Sequence, residues 1–184
     1  MKRRIFVAID LSPELKTKVG EVIKQWRWLP IRWLAPESWH ITVVPPVYLD
    51  DREAGLLSAL VGRSRFGKPF PVRFSRVVLA PPGAPARMIW LEGDTSEALI
   101  QLKRKLGKAW ASVAALPPLE PERRAPHMHV TLARFGPGEL AELETKTRVL
   151  DEVDFRFEAS EVAVMESHLK PSGAEYEQLA TARL

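Results

Sequence analysis

The sequence repeats the pattern His-x-Thr, where x is any residue, at His40-Ile41-Thr42 and at His129-Val130-Thr131. Both copies lie in short apolar runs rich in β-branched residues, which favour strands. On a strand, side chains two residues apart lie on the same face, so each copy presents an imidazole beside a hydroxyl. The two copies are nearly half the chain apart, and they predict two equivalent strands in a fold with matching halves.

Helices and further strands surround both motif strands. Apolar residues that alternate, or that form short buried runs, predict strands, and spacings of three and four residues predict helices. The predicted strands lie at 4–11, 39–44, 70–79, 88–92, 127–135, 153–166 and 176–184, and the predicted helices at 13–28, 50–63, 95–114 and 138–148. We therefore expect one two-lobed domain over residues 1–184, with an α+β fold that is bilobal and pseudo-symmetric. Antiparallel sheets would line a central cleft, with the helices outside.

The composition excludes several classes of protein. The 184 residues include no cysteine, which excludes disulfides, thiolate catalysis and cysteine-ligated metals. No apolar run approaches the roughly 20 residues needed to cross a bilayer, and Asp10 and Glu14 interrupt the amino-terminal apolar stretch before a signal peptide is complete. We expect a soluble, cytoplasmic, monomeric protein that binds no membrane. Its net charge of +4 permits an anionic partner such as RNA.

Two imidazoles at one site can divide the work of acid–base catalysis. The ordinary histidine pKa near 6.5 lets one ring act as a base and the other as an acid near neutral pH. Hydrolysis of a cyclic phosphodiester needs a base, an acid and donors that hold the phosphoryl oxygens. His40 and His129 are therefore the candidate catalytic residues, with the hydroxyls of Thr42 and Thr131 as donors. This chemistry requires neither a metal nor a cofactor.

Three stretches carry a resemblance to a known family: RRIFVAIDLSPEL at 3–15, WHITV at 39–43 and PHMHVTLARF at 126–135. Together they resemble the two-histidine phosphoesterase superfamily, specifically its RNA 2′,3′-cyclic phosphodiesterase branch, formerly called 2′-5′ RNA ligase. The resemblance extends to SHLKPSGAEY at 167–176, which is similar to the closing hairpin of that family. It implies a bilobal α+β fold with both motifs in a central cleft.

The resemblance also implies an activity and its residues. The expected reaction is metal-independent hydrolysis of RNA 2′,3′-cyclic phosphodiester ends to 2′-phosphomonoesters, with reverse 2′-5′ RNA ligation by the same groups. His40 matches the general acid and His129 the general base. Thr42 and Thr131 match the phosphate-binding hydroxyls, and Arg134 matches the arginine that follows the second motif. The implied partner is RNA, or an oligonucleotide, with a 2′,3′-cyclic phosphate end.

Arg134 and Phe6 are less direct assignments. Arg134 lies five residues after His129, so an ideal strand would point it to the opposite face unless a twist, a bulge or the strand end intervenes. Phe6, on the amino-terminal strand, is a candidate for stacking on a base, with core packing as the alternative. The chain also departs from the family in HITVVPPVYLD at 40–50, where two prolines predict that the strand ends at Val44 and that a different loop follows.

Two other classes of function remain open at this point. A non-catalytic protein that binds single-stranded RNA would use basic and aromatic residues without turnover. A zinc enzyme would collect several of the four histidines, although no His-Glu-x-x-His motif is present. His127 is two residues before His129 and either contacts phosphate or is simply exposed.

Overall fold

The computed structural model describes residues 2–120, 127–136, 138–139, 149–170 and 173–184. These residues form two antiparallel sheets, three α-helices and two short 3-10 helices, at Lys24–Trp26 and Pro36–Ser38. The strands are β1 (Arg3–Asp10), β2 (Arg32–Trp33), β3 (His40–Leu49), β4 (Phe70–Ala80), β5 (Met88–Gly93), β6 (His129–Arg134), β7 (Leu150–Ala159), β8 (Glu161–Lys170) and β9 (Gly173–Arg183), and the helices are α1 (Pro13–Ile23), α2 (Asp51–Arg63) and α3 (Glu97–Ala111).

The strand orders of the two sheets correspond when β2, the additional edge strand of one sheet, is left aside. One sheet has the order β3-β1-β8-β9 and the other β2-β6-β5-β4-β7. In each half a strand leads through a helix to a motif strand that pairs with it, as β1-α1-β3 and as β5-α3-β6. The motif strands β3 and β6 contact each other across the two sheets. The predicted α+β architecture of two pseudo-symmetric, antiparallel halves is therefore confirmed.

The predicted strand at 153–166 is wrong, because the chain changes sheets within it. β7 pairs with β4 in one sheet, and β8 pairs with β1 and β9 in the other. The change occurs at Ser160, whose carbonyl oxygen accepts a hydrogen bond from the Leu184 amide at 2.8 Å. Alternation of apolar and polar residues continues through the break, and a sequence pattern does not identify the partner of a strand.

The first motif strand does not end before its prolines, as predicted, but continues through Pro45 and Pro46 to Leu49. β3 is an edge strand that pairs only with β1 among the described strands. A proline lacks an amide proton, and an edge strand tolerates this because it has a neighbour on one side only. The pairing also shifts register between Ile5 and Ala8, opposite the prolines. No separate loop therefore follows the motif directly.

Helices cover the outer faces and join the two halves. α2 packs on the sheet of β1, β3, β8 and β9, whereas α1 contacts β7 and α3 contacts β3. Asp50 and Glu53 form a capping box at the start of α2, which satisfies two otherwise unpaired amides. Most buried apolar residues of both sheets form one large cluster, and Ala80, Met88 and Trp90 form a smaller one. The single two-lobed domain over residues 1–184 stays a prediction.

Two further predictions concern particular segments. The helix predicted at 13–28 ends at Ile23 and continues as the 3-10 turn Lys24–Trp26. The helix predicted at 138–148 lies outside the described residues, apart from residues 138 and 139. Within the described part of the chain, no helix is long and apolar enough to cross a membrane.

Gly93 provides a test of the packing at the end of β5. A Cβ atom there would lie 1.9 Å from the carbonyl oxygen of Arg73 and 2.6 Å from Cε of Met128. Because the first of these is a backbone atom of the neighbouring strand, we expect Gly93→Ala to lower the free energy of unfolding by about 1 to 3 kcal/mol. Gly55→Ala, in α2 with open space around it, should instead raise stability by up to about 1 kcal/mol. Urea denaturation of both variants gives the comparison, and equal stabilities would contradict the predicted packing.

Candidate active site

The two motif strands contribute to one cavity of about 260 Å³ between the sheets. Along both strands the motif histidine and threonine are half-buried, while the residues between and after them are buried in the core. This alternation brings four motif side chains to the same cavity: His40 and Thr42 from β3, and His129 and Thr131 from β6. The described part of its lining is completed by Arg4, Phe6, Leu34, Ser38, Pro46, Met88, Arg134 and Tyr176.

Both imidazoles are held by the same local hydrogen bond. Nδ1 of His40 lies 2.9 Å from the carbonyl oxygen of Ser38, and Nδ1 of His129 lies 2.9 Å from that of His127. A carbonyl oxygen only accepts, so in each ring Nδ1 carries the proton and donates it. The tautomer of the neutral ring is thereby fixed, and Nε2 is left as the atom that can accept or deliver a proton in the cavity.

Aromatic rings support each imidazole in a different way. Phe6 and Tyr176 lie against His40, with ring centroids at 4.9 and 5.2 Å. Trp90 stacks on His129 at 3.7 Å with an angle of 17° between the ring planes. The rings restrict the orientation of both imidazoles and remove water from one side of each.

This burial changes the acidity of both rings. Removal from water lowers the pKa of His40 from 6.5 to about 4, against the opposing effect of the bond to Ser38. Burial also lowers the pKa of His129. The charged form of a histidine is disfavoured in a poorly solvated site. In the free protein, both imidazoles are therefore neutral at pH 7.

A β-bulge brings Arg134 to the cavity. The pairing of β6 with β5 shifts between Ile89 and Trp90, so that Trp90 pairs with Thr131 but Ile89 pairs with Ala133. The extra residue makes Leu132 and Ala133 both point to the core, and Arg134 returns to the side of the motif residues. Burial, and then the nearby arginines, lower the pKa of its guanidinium.

Phe6 lines the cavity but is only 2% exposed. Its ring is enclosed by His40 and by Tyr176, whose ring centroid lies 5.1 Å away. Almost no face of Phe6 is therefore accessible to a base. The arrangement corresponds to the core-packing alternative, with the ring beneath the imidazole, and Tyr176 is the more accessible aromatic side chain of this wall.

His127 does not line the cavity, but it is connected to the second motif. Its Nε2 lies 2.7 Å from Oε2 of Glu92, and the other oxygen of that buried carboxylate lies 2.5 Å from Arg76. The carbonyl of His127 is also the acceptor for His129. Glu92 therefore fixes the segment that orients the second imidazole. The sequence offered no signal for this link, because Glu92 and His127 are far apart in the chain.

His168 lies on another surface, near Glu166 and Glu177. Potential ligand atoms of these three residues lie within 4.8 Å of one another. However, Glu166 is already paired with Arg3, and none of the three lines the cavity. The histidines that the zinc alternative would collect are thus divided between separate places.

A larger and more apolar cavity, of about 690 Å³, lies between β3 and α3. Its described lining contains no histidine, threonine or serine; it includes Val43, Val44, Lys103 and Leu119. Size alone would favour this cavity. The motif histidines and threonines instead line the smaller one, which we take as the candidate active site.

The fold and this site together define a class: two-lobed proteins in which paired His-x-Thr strands face one cleft. The chain belongs to the 2′-5′ RNA ligase superfamily, whose sequence profile matches residues 17–171. It is 23% identical over 176 residues to an RNA 2′,3′-cyclic phosphodiesterase of Methanocaldococcus jannaschii, an alignment that covers 95% of this chain and 96% of that protein. The predicted family is confirmed.

Solved structures show the same fold. A crystal structure of Escherichia coli LigT complexed with 3′-AMP superposes with a TM-score of 0.78 at 22% identity, covering 100% of this chain and 99% of that one. A crystal structure of TT0787 of Thermus thermophilus gives a TM-score of 0.80 at 20% identity, covering 98% of this chain and 97% of that one.

The lowered pKa of His40 predicts how stability depends on pH. The unfolded chain binds a proton at this position below pH 6.5, whereas the folded protein does so only near pH 4. Stability from this group is therefore present above pH 6.5 and is lost as the pH falls towards 4, by at most about 3 kcal/mol. Urea denaturation at pH 7 and pH 4.5 should show a smaller loss for His40→Gln than for the wild type. Equal losses would contradict the buried, neutral imidazole.

Proposed function

We propose that the protein hydrolyses RNA 2′,3′-cyclic phosphodiester ends to 2′-phosphomonoesters, with His40 and His129 as general acid and base and without a metal. The observation that carries the proposal is the pair of imidazoles with the same anchored Nδ1, on two sides of one cavity. Membership of the superfamily and the similarity to a cyclic phosphodiesterase support the same reaction.

The proposed reaction adds one water across the P–O3′ bond. Nε2 of His129 takes a proton from the attacking water as its oxygen bonds to phosphorus. The P–O3′ bond breaks, and Nε2 of His40 delivers a proton to the departing O3′. The products are a 3′-hydroxyl and a 2′-phosphate. Exchange with solvent then removes the proton gained by His129 and returns one to His40.

The acid must acquire its proton when substrate binds, because the His40 pKa of about 4 leaves its ring neutral in the free protein. A cyclic phosphodiester carries one negative charge, and a negative charge a few ångströms from an imidazole favours the charged ring. The substrate would therefore recruit the proton that its own leaving group needs. Because the rings are neutral in the free protein, the histidines add no permanent charge that would attract other anions to the cavity.

The remaining groups are suited to an anionic phosphoryl group. Thr42 and Thr131 stand beside the two imidazoles, and Arg134 enters the same cavity through the bulge in β6. A guanidinium and hydroxyl donors stabilise the charge that develops on phosphoryl oxygens. The described lining includes no carboxylate, and its arginines would repel a cation. This donor set favours direct binding of phosphate over binding through a metal.

The same groups would serve the reverse reaction, in which a 5′-hydroxyl replaces water and a 2′-5′ linkage forms. Because water is far more concentrated than RNA ends, hydrolysis should dominate. The competing hypothesis, a non-catalytic protein for single-stranded RNA, shares the charge and the aromatic residues but gives no role to the anchored imidazoles.

We expect the purified protein, in excess EDTA, to convert an oligoribonucleotide with a 2′,3′-cyclic phosphate end into the 2′-phosphate. His40→Ala and His129→Ala should each lower kcat/KM by about 10²- to 10⁴-fold, since each removes one proton-transfer group. His168→Ala is the matched control outside the cavity and should retain wild-type activity. Nuclear magnetic resonance of ³¹P distinguishes the 2′-phosphate from a 3′-phosphate.

A wild type that binds this RNA but does not convert it would support the RNA-binding hypothesis instead. Loss of activity in EDTA that zinc restores would contradict the metal-independent mechanism. Full activity in either histidine variant would remove that residue from the chemistry.

A substrate with sulfur in place of the bridging O3′ separates the acid from the base. A thiol has a pKa near 8.5, so the thiolate leaves without a proton. We expect His40→Ala to lose much less activity on the sulfur substrate than on the oxygen substrate, and His129→Ala to lose the same factor on both. The reversed pattern would exchange the roles of the two histidines.

A further inference from the structure

A second cavity of about 460 Å³ continues from the candidate active site. Leu34, Ser38, Arg134 and Tyr176 line both cavities. We call the second one the β2 groove; its further described lining is Arg32, Trp33, Ala35, Glu37, Gly173, Ala174 and Glu175. The two spaces are therefore neighbouring sections of one channel, with Arg134 and Tyr176 at their junction.

Arg32 and Arg134 are direct partners in the pairing of β2 with β6. Residues opposite each other on neighbouring strands lie on the same face, and like charges at such positions destabilise a sheet. Arg4, Arg32 and Arg87 all lower the pKa of the Arg134 guanidinium by repulsion, in addition to its burial. This end of the channel therefore concentrates positive charge.

In the described part of the chain, no carboxylate is paired with these arginines. Arg4 donates to the hydroxyl of Ser167 and Arg134 to the sulfur of Met88, both neutral acceptors. Repulsion between the facing arginines thus destabilises the sheet, and an anionic ligand would offset this repulsion.

The backbone is shaped to admit the Arg32 side chain. Gly173 has a φ of +138°, and a Cβ atom there would lie 2.2 Å from an Nη atom of Arg32. The guanidinium therefore lies directly against the start of β9, where the absence of a side chain at Gly173 leaves room for it. The β2 groove also contains Glu37 and Glu175, of which Glu175 is paired with Lys170 at 2.5 Å.

We infer that the β2 groove binds the nucleotide that precedes the cyclic end, and that Arg32 contacts the phosphodiester linking it to the terminal nucleotide. The inference rests on the proposed function, because it places the cyclic phosphate in the cavity of His40 and His129. The phosphodiester that links the terminal nucleotide to the preceding one carries the next negative charge of the strand, and an arginine is suited to bind it. Trp33 and Tyr176 provide ring surface for the preceding base. An RNA end should thus be preferred over a free cyclic mononucleotide.

The test compares three substrates: a nucleoside 2′,3′-cyclic phosphate, a dinucleotide with that end, and the same dinucleotide with an uncharged methylphosphonate linkage. For the wild type we expect kcat/KM to be roughly 10-fold higher for the dinucleotide than for the nucleoside, as for one charge-assisted contact. Arg32→Gln should lower this ratio to near one, and so should the methylphosphonate. Arg52→Gln, which removes an exposed arginine from α2, is the control for net charge and should keep the wild-type ratio.

The inference would be overturned if the dinucleotide-to-nucleoside ratio of kcat/KM were one in the wild type, or if it were unchanged in Arg32→Gln. In both cases, turnover of the nucleoside substrate would still support the proposed function. Absence of turnover for every substrate would instead contradict the proposed function. Calorimetric affinities of the corresponding nucleoside and dinucleotide 2′-phosphates give the same ratio without turnover. Equal affinities of the two 2′-phosphates would contradict binding in the β2 groove, even if no substrate is turned over.

Discussion

The site depends on one short interaction, used twice: a hydrogen bond from Nδ1 of a motif histidine to the carbonyl oxygen two residues earlier in the chain. A neutral imidazole has one proton, and this bond decides which nitrogen carries it. It also fixes the ring plane without recruiting a side chain from elsewhere in the fold. The donor and acceptor are two residues apart, with the acceptor just before the first residue of the motif strand, and both halves of the protein contain this arrangement. The remainder of the structure places these two units opposite each other.

The charge of the cleft follows from what surrounds those units. Burial against aromatic rings keeps both imidazoles neutral at pH 7, while Arg4 and Arg134 keep the cavity positive. A protonated imidazole next to these arginines would add repulsion, which an anion relieves. In the proposed reaction, the phosphoryl group would bind first and His40 would become an acid afterwards. The neutral rings and the guanidinium groups of Arg4 and Arg134 are thus both suited to an anion in the cavity.

The sequence predicts the parts of this site that depend on local spacing. The His-x-Thr repeats identify His40, Thr42, His129 and Thr131, because the period of a strand is the same in any fold. Arg134 was recognisable only through family resemblance, since the bulge in β6 that turns it to the cavity depends on the pairing of β6 with β5. Contacts between distant segments, such as Trp90 on His129, leave no periodic signal. The change of sheet at Ser160 was missed for the same reason, because alternation shows that a segment is extended but not which strand it joins.

The two halves are similar in topology but not in the surroundings of their histidines. This difference bears on the roles proposed for His40 and His129. His40 is enclosed by the rings of Phe6 and Tyr176, and Asp10, opposite it in the pairing of β1 with β3, favours its charged form. His129 instead lies face to face with Trp90, and the neighbouring His127 disfavours its charged form. Burial is the largest cause of the lowered pKa of both rings, but Asp10 opposes this change at His40, whereas His127 adds to it at His129. The two matching motifs thereby lie in unlike surroundings, which differ through the residues packed around each imidazole.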